Sequence, residues 1–304
     1  MAAEARFAAM GTTVHVIVVG GAERVLLDGA RQRIAELERR WSRFLPESEI
    51  SYLNAHSRGA PIVVSADTAI LVERARRAWE LTGGLYDPTV LRALRTLGYD
   101  RDFAEVRTRP DDLRLIAPRR APGCDGILVD PTVSSVTLPR DVEIDPGGLG
   151  KGLAADLVTA ELLAAGARGA LVNLGGDVRV RGDAPGGTSW SIAVEHPTDP
   201  ARTIVELGIT DAAIATSTNA RRRWIRGGRE RHHLVDPRTG DSADSPLVSV
   251  TVVADEGWWA ETSAKAIFVA GIPARRVTLP GVHVATVDAA GAVEHTPGLQ
   301  AVVA

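Results

Sequence analysis

Apolar residues recur along this chain with two periods, one typical of strands and one typical of helices. Between residues 7 and 19 they alternate or run together, which predicts a strand interrupted at residues 10–12. Between residues 28 and 44 they form a single helical stripe that includes Ile34 and Leu37. The same two patterns alternate over most of the remaining chain.

Further elements follow from the same periods and from turn residues. Helices are predicted over residues 66–82, with Ser65 as N-cap, and 257–270, and a polar loop or short helix over 48–54. Strands are predicted over residues 127–129, 133–138, 170–174, 178–180, 190–194, 204–207, 212–217 and 247–253. Hairpins are predicted about Gly227 and across residues 288–291, and the Arg-, Asp- and Pro-rich residues 101–122 indicate a variable surface excursion.

The stretch from residue 142 to 177 is the most informative. Residues 142–144 alternate like a half-buried strand, and the Asp-Pro-Gly-Gly of residues 145–148 ends that pattern. A helix then runs from about Leu149 to Gly166, followed by a second strand and the turn at residues 175–177. Such a unit offers bare backbone and a helix N-terminus to an anion, which suits a phosphate or diphosphate.

Two phosphate-binding motifs can be tested against this stretch. A P-loop is excluded, because Asp145 stands at its first glycine and Gly152 follows Lys151. A dinucleotide fingerprint counted from Gly150 ends on Ala155, which only its relaxed form allows. A tight turn before an amphipathic helix, with no ligand, is the alternative.

Composition narrows the classes of protein. With 304 residues, 45% of them hydrophobic and 24% charged, the chain can form one large domain or two ordinary ones. A net charge of −3 gives no case for nucleic-acid binding. No apolar run approaches the roughly 18 residues of a membrane helix. The first residues include Glu4 and no apolar segment, so we expect no secretory signal and a cytosolic protein.

Four residues are candidates for chemistry, each with a plainer alternative. Of 35 basic residues only Lys151 and Lys265 are lysine, and an ammonium is a compact charge that a guanidinium does not replace freely. His233 follows His232, so in an extended segment only one of the two faces a site, and a structural histidine is the alternative. Glu261 and Lys265 have the i, i+4 spacing of an ordinary surface ion pair.

Taken in order, the motifs resemble those of the ApbE family of FAD:protein FMN transferases. The matching pieces, which span most of the chain, are residues 10–12, 48–54, 82–89, 144–156, 171–182, 215–217, 233–240, 248–254 and 260–271. No single piece is specific, but the ordered set is.

The resemblance implies an α+β fold of mixed sheets with packed helices, with a T-fold-like architecture. It implies a single domain over residues 1–304, or two lobes with the FAD cleft between them. The expected ligand is FAD, with Mg²⁺ bridging its diphosphate. The expected partner is an acceptor protein, whose Ser or Thr hydroxyl attacks the FMN phosphoryl group while AMP leaves.

The resemblance also assigns roles to residues of this chain. His233 would assist deprotonation of the hydroxyl, and the Gly150 carbonyl and Glu261 would bind the metal. The residues expected to bind FAD are Met10, Phe44, Leu85, Tyr86, Asp87, Gly147, Lys151, Leu153, Thr216, Ser217 and Val235.

The chain departs from the family pattern at the residues expected to bind the metal. The family's helix offers an Asp and, four residues later, a Thr, where this chain has Glu261 and Lys265. The glycine that follows Thr-Ser in the family is Thr218 here. Because a protonated lysine has no lone pair, we hypothesise that the Lys265 ammonium, held by Glu261, partly replaces the metal and acts in catalysis. Lys151 would add charge at the same place.

Two other functions use the same site. A relative that binds FAD without transfer would be a carrier or sensor. A pyrophosphatase would split FAD into FMN and AMP with water as nucleophile. Release of AMP without flavin on protein would indicate the pyrophosphatase, and bound flavin without AMP would indicate the carrier.

Overall fold

The computed structural model describes residues 2–111, 117–187, 189–199 and 201–302. Its strands, in chain order, are β1 (Ala2–Ala9), β2 (Thr12–Val19), β3 (Pro61–Val63), β4 (Leu128–Asp130), β5 (Ser135–Thr137), β6 (Gly169–Leu174), β7 (Asp177–Gly182), β8 (Trp190–Glu195), β9 (Thr203–Ile209), β10 (Ala212–Thr218), β11 (Arg223–Arg226), β12 (Arg229–His232), β13 (Leu247–Ala254), β14 (Val282–Asp288) and β15 (Val293–His295). Its α-helices are α1 (Glu23–Trp41), α2 (Glu49–Ala55), α3 (Ala66–Leu81), α4 (Leu91–Thr96), α5 (Phe103–Thr108), α6 (Gly150–Ala164) and α7 (Gly257–Ala270). Three short 3₁₀ helices cover Pro88–Val90, Ala274–Arg276 and Pro297–Val302.

An eight-stranded sheet forms the centre, in the order β1-β2-β6-β7-β10-β13-β14-β15, with neighbouring strands antiparallel. The smaller sheets are β3-β5-β4, β8-β9 and β11-β12. Helices and antiparallel sheets are thus combined in one chain, which confirms the α+β class.

The central sheet separates two cores. Along β2, Val14, Val16 and Val18 lie in the larger core with α1, α6 and α7, whereas Ile17 and Val19 face the smaller core under the β8-β9 hairpin. This alternation is the two-residue period of a strand that is covered on both faces. The sheet therefore has helices on one side and a β-hairpin on the other.

The strand predicted over residues 7–19 is the β1-β2 hairpin, and the interruption predicted at residues 10–12 falls at its turn. Met10 and Gly11 both have positive φ, 51° and 65°, and occupy the turn. Two successive positive φ values are typical of the type I′ turn that suits the twist of a hairpin. Met10 is also fixed from outside, because its N–H donates to Glu38 Oε1 at 2.7 Å.

The helix predictions hold with shifted starts. Ser65 caps α3 by accepting the Thr68 N–H, as predicted. Helix α1 begins at Glu23, before the predicted residue 28. Helix α7 ends at Gly271, which has the left-handed conformation of a C-terminal glycine.

The predicted strand over residues 142–144 is wrong, because these residues belong to no strand. The Ile144 N–H donates to Asn54 Oδ1 at 2.8 Å, and Asn54 Nδ2 donates to the Ile144 carbonyl at 2.9 Å. The side chain of one buried asparagine therefore replaces a neighbouring strand, and it holds the segment that leads into the glycine turn.

Residues 101–122 are more than a surface excursion. They contain α5, whose Phe103 packs edge-on against Tyr99 and Trp224. Trp224 is anchored in turn, because its Nε1 donates to the Leu97 carbonyl at 2.7 Å. Residues 112–116 lie outside the described part of the chain. The sequence prediction missed α5 because six residues show too little periodicity.

No helix among the described residues is both long enough and apolar enough to cross a membrane.

Removal of the Asn54 amide tests whether this side chain fixes the segment that leads into the glycine turn. Asn54→Ala should lower the free energy of unfolding by about 2–4 kcal/mol, because each unsatisfied buried backbone group costs about 1–3 kcal/mol. Urea denaturation measures this loss. Ser57→Ala, which removes only a 3.3 Å hydrogen bond to the Asn54 carbonyl, is the control. If both variants were equally stable, the role assigned to the Asn54 side chain would be contradicted.

Candidate functional site

A cavity of about 780 Å³ opens between the end of α1, the start of α6, and α5. Seven of the predicted site residues line it: Met10, Phe44, Gly147, Gly150, Lys151, His233 and Glu261. Other lining residues include Glu38, Arg39, Arg43, Leu45, Leu94, Tyr99, Asp102, Phe103, Arg107, Asp145 and Arg222. Its volume lies in the range of pockets that bind small molecules and cofactors.

The glycine turn forms one wall of the cavity. The Pro146 carbonyl accepts the N–H groups of Gly148 and Gly150, each at 2.8 Å, so the chain turns tightly into α6. Leu149, the N-cap of α6, provides no side-chain hydrogen bond to the helix. Because no strand precedes the turn, the strand–turn–helix unit expected from the sequence is reduced to turn and helix. Its glycine backbone nevertheless faces the cavity.

A buried ion cluster lies at the start of α6. Lys151 Nζ donates to Glu261 Oε1 at 2.8 Å and also contacts Asp177 Oδ2. The second oxygen of Glu261 accepts the Gly152 N–H at 2.8 Å. Burial acts to lower the pKa of Lys151, but the two carboxylates outweigh it and raise that pKa above its ordinary value. Lys151 is therefore a fixed cation on the wall of the cavity.

Lys265 has a different partner from the one expected. Its Nζ donates to the Gly147 carbonyl at 3.0 Å, whereas Glu261 is held by Lys151 and Gly152. The expectation that Glu261 holds Lys265 is wrong, because Lys151 takes the carboxylate. The surface-pair reading is wrong as well, since Glu261 is buried. Burial lowers the pKa of Lys265, and the charges of Asp145 and Glu261 oppose this effect.

Helix α7 carries Glu261 and Lys265, and α6 fixes its N-terminus. Asp156 on α6 accepts the N–H groups of Gly257 and Trp258 at 2.7 and 3.0 Å. This is the side-chain capping that the first turn of a helix requires. The helices also cross with their backbones in contact, because a Cβ on Gly152 would lie 2.2 Å from the Gly257 carbonyl oxygen.

The two adjacent histidines have separate environments, as the sequence predicted. His232 is buried, and its Nε2 lies 3.2 Å from the Ala243 carbonyl oxygen. His233 lines the cavity, and its buried Nδ1 has no hydrogen-bond partner among the described residues. Burial lowers the pKa of His233 well below the ordinary 6.5, and the positive charges of Arg222 and Lys265 lower it further. His233 is therefore a neutral imidazole at neutral pH.

Aromatic rings also line the cavity. The Arg43 guanidinium lies 4.3 Å from the Phe44 ring centre and 4.6 Å from that of Tyr99. Arg43 Nε also pairs with Asp145 Oδ1 at 3.2 Å, and both side chains are buried. Phe44 is 38% exposed although it is large and apolar. Phe44 therefore keeps apolar surface open to the cavity.

The remaining predicted residues are not among those that line the cavity. Asp87 Oδ1 accepts the Thr89 N–H and hydroxyl at 2.7 and 2.6 Å and so caps a 3₁₀ helix. Thr216 Oγ1 lies 2.9 Å from Thr251 Oγ1 on the neighbouring strand. Six more are not among the lining residues: Leu85, Tyr86, Leu153, Ser217, Val235 and Lys265. Their contact with a ligand stays a prediction.

The sequence analysis missed several lining residues. Arg43 and Asp145 adjoin predicted residues, but they are about a hundred positions apart, and no periodicity indicates that they pair. Phe103 and Tyr99 belong to a stretch without a clear pattern, and a lone aromatic residue among charges was the available signal. Arg222 belongs to an arginine-rich stretch whose composition indicates a solvated face, although the residue is half-buried and lines the cavity.

Fold and cavity together suit an anionic ligand with an aromatic part. The model of the ApbE family matches residues 10–282. An FAD:protein FMN transferase of Vibrio cholerae is 30% identical over 267 residues, which cover 86% of this chain and 79% of that protein. One from Haemophilus influenzae is 29% identical over 275 residues, with coverages of 86% and 79%.

Among solved structures, the ApbE protein from Thermotoga maritima has a TM-score of 0.87 to this chain, with 28% sequence identity and 100% coverage of both chains. The Vibrio cholerae flavin transferase ApbE, an H257G mutant, has a TM-score of 0.80 at 21% identity, again with full coverage of both, and supports the fold alone. The chain belongs to the ApbE family.

The contact between α6 and α7 can be tested with one methyl group. Gly152→Ala places a Cβ against the Gly257 carbonyl and should destabilise the protein by about 1–3 kcal/mol. It should also weaken FAD binding, because α7 carries Glu261. Gly29→Ala on α1, where a Cβ meets nothing within 4 Å, is the matched control. That variant should be neutral or more stable by up to about 1 kcal/mol. Denaturation measures the stability of both variants, and titration measures their affinity for FAD. If the two variants did not differ, the contact between α6 and α7 would be contradicted.

Proposed function

We propose that this protein is an FAD:protein FMN transferase. The hydroxyl of a Ser or Thr on an acceptor protein forms a bond to the FMN phosphorus of FAD, the bond to the AMP oxygen breaks, and AMP leaves. Membership of the ApbE family supports this reaction, as do the relatives that carry this name and align over most of both chains.

One observation carries the proposal: aromatic rings and fixed cations line the same cavity. Phe44 and Tyr99 offer ring surface for the flavin, and Lys151 offers positive charge for the diphosphate. The glycine turn adds backbone to the lining of the same cavity. In this arrangement both parts of FAD meet complementary surface.

His233 is the proposed base for the acceptor hydroxyl. A general base must be unprotonated and within reach of the proton that it accepts. The lowered pKa of His233 keeps the ring neutral, and the residue lines the cavity in which the hydroxyl would arrive. The proton then passes from the hydroxyl to His233 as the oxygen–phosphorus bond forms.

The metal-binding residues expected from the family do not fit Mg²⁺ in this chain. Both oxygens of Glu261 already accept N–H donors, from Lys151 and Gly152. The Lys265 ammonium lies beside the turn that contains Gly150, where it would repel a divalent cation. Among the described residues, no three His, Cys, Asp or Glu side chains group as metal ligands.

We therefore propose that Lys265 and Lys151 supply the positive charge at the diphosphate. Phosphoryl transfer depends mainly on in-line positioning and on neutralisation of charge on the phosphoryl oxygens. An ammonium held by the Gly147 carbonyl can provide both, since its position is fixed. The mechanism then needs no step through a metal.

The reaction itself is tested by incubation with FAD and a candidate acceptor protein. Chromatography measures AMP, and the mass of the acceptor reveals attached FMN. Equal amounts of AMP and flavinylated acceptor support transfer. AMP and free FMN without attached flavin would indicate pyrophosphatase activity, and bound FAD without AMP would indicate a carrier. The expected cytosolic location stays a prediction for cell fractionation.

The pH dependence of transfer tests His233. Because the reactive form is the neutral imidazole and its pKa lies below 6.5, kcat/KM should stay level from pH 8 to below pH 6.5 and fall only in more acidic buffer. His233→Gln should reduce the rate about 10²–10⁴-fold. His56→Gln, an exposed residue of α2's C-terminal end, should leave the profile unchanged. A fall that begins above pH 6.5 would argue against this base.

Substitution of Lys265 tests the replacement of the metal, with FAD affinity as the readout. The wild type should bind FAD equally well in EDTA and in Mg²⁺. Lys265→Thr should bind about 10–100-fold more weakly in EDTA, because a hydrogen bond to a charged group contributes about 1.5–3 kcal/mol. Mg²⁺ should restore its affinity. Lys265→Met, which offers no oxygen, should stay weak in both buffers. A wild type that loses FAD in EDTA would overturn the proposal.

A further inference from the structure

Arg222 and His233 lie side by side at the edge of the cavity. The β11-β12 hairpin pairs Arg223 with His232, so the residues just beyond this pair, Arg222 and His233, come next at its open end. Both line the cavity. A guanidinium therefore stands beside the proposed base.

Arg222 is a cation without a partner in the described part of the chain, where it forms no ion pair or hydrogen bond. By contrast, Arg43 pairs with Asp145, and Lys151 pairs with two carboxylates. Arg222 is also half-buried, whereas Arg39 and Arg107 on the same cavity are exposed to solvent. A half-buried charge that lacks a counterion inside the protein is suited to an anionic ligand.

The backbone at Arg222 has an uncommon conformation. Its φ of 51° lies in the left-handed region, which disfavours side chains other than those of Gly, Asn and Asp. Residues held in this way cluster at binding and active sites. The conformation therefore directs a long cationic side chain at a point where glycine or asparagine would fit the backbone better.

The neighbouring residues fix this turn from both ends. Thr218 Oγ1 donates to the Val248 carbonyl at 2.9 Å and accepts the Ala220 N–H at 3.1 Å. Beyond the turn, Trp224 Nε1 donates to the Leu97 carbonyl at 2.7 Å. Thr218, where the family has glycine, thus anchors the approach to Arg222, and the backbone of the turn is held in place before any ligand arrives.

We propose that Arg222 binds the FMN-side phosphate of FAD, the group that is transferred. This inference rests on the proposed function and assigns a substrate contact to that site. A planar guanidinium donates two parallel hydrogen bonds to phosphate oxygens, which both orients the group and offsets its charge. Beside His233, the contact aligns the phosphorus with the hydroxyl whose proton His233 accepts.

Arg222→Asn is the discriminating variant, because asparagine tolerates positive φ and the fold should keep its thermal stability. Its dissociation constants for FAD and FMN should rise about 10–100-fold, the loss expected for a charge-assisted contact. The dissociation constant for riboflavin, which lacks this phosphate, should stay unchanged. So should that for AMP, which carries the other phosphate of FAD. Arg222→Lys, which keeps the charge but not the planar fork, should recover part of the FAD affinity.

The matched control is Arg221→Asn. Arg221 is the adjacent residue, but it is exposed and pairs with Glu195 at 3.2 Å. This variant should bind all four ligands like the wild type. Flavin fluorescence and calorimetry measure the affinities, and differential scanning fluorimetry measures stability.

Equal weakening of riboflavin and FAD, or unchanged FAD and FMN affinity in Arg222→Asn, would overturn the assignment. A larger loss of affinity for AMP than for FMN would also overturn the assignment, since that result would place Arg222 on the other phosphate. If the wild type binds FAD with this selectivity but transfers no FMN, the proposed function fails while the assignment of Arg222 stands. A wild type that binds no FAD overturns both proposals.

Discussion

The Lys151 ammonium lies between the carboxylates of Asp177 and Glu261, and this contact joins three elements of the fold. Lys151 lies in the first turn of α6, Asp177 begins β7, and Glu261 lies on α7. The charges are largely buried, so removal of any one would leave another without compensation in a medium of low dielectric constant. The positions of both helices relative to the sheet therefore depend on all three side chains together.

The same contact determines the chemistry of the cavity. Because Glu261 is occupied by Lys151 and by the Gly152 N–H, it is not available to a divalent cation as a free carboxylate. Lys265 then stands against the glycine turn with its charge directed at the backbone that faces the ligand. Positive charge in this site thus comes from the chain itself, which suits a reaction that is promoted by positioning and charge neutralisation.

Much of the fold could be predicted from sequence because its signals are local. The period of apolar residues located α3 and α7, and Ser65 and Gly271 marked their ends. The prediction failed where a tertiary contact replaces a local pattern. Asn54 supplies the hydrogen bonds that a strand partner would have given to Ile144, and no local signal reveals this.

The prediction of the site also succeeded where signals are local and failed where tertiary contacts decide. The order of motifs indicated Lys151, His233 and Glu261, and all three line one cavity. The i, i+4 spacing favoured a pair between Glu261 and Lys265, but the structure pairs Glu261 with a residue 110 positions away. Spacing along a helix shows which side chains can meet, and only the crossing of α6 and α7 determines which of them do.

A crystal structure with FAD, grown in the presence of Mg²⁺, tests the central claim most directly. The account predicts the diphosphate beside the Lys265 ammonium, with Lys151 still paired to Glu261 and no metal between them. A Mg²⁺ ion coordinated by Glu261 and the diphosphate, with Lys265 turned away, would contradict it.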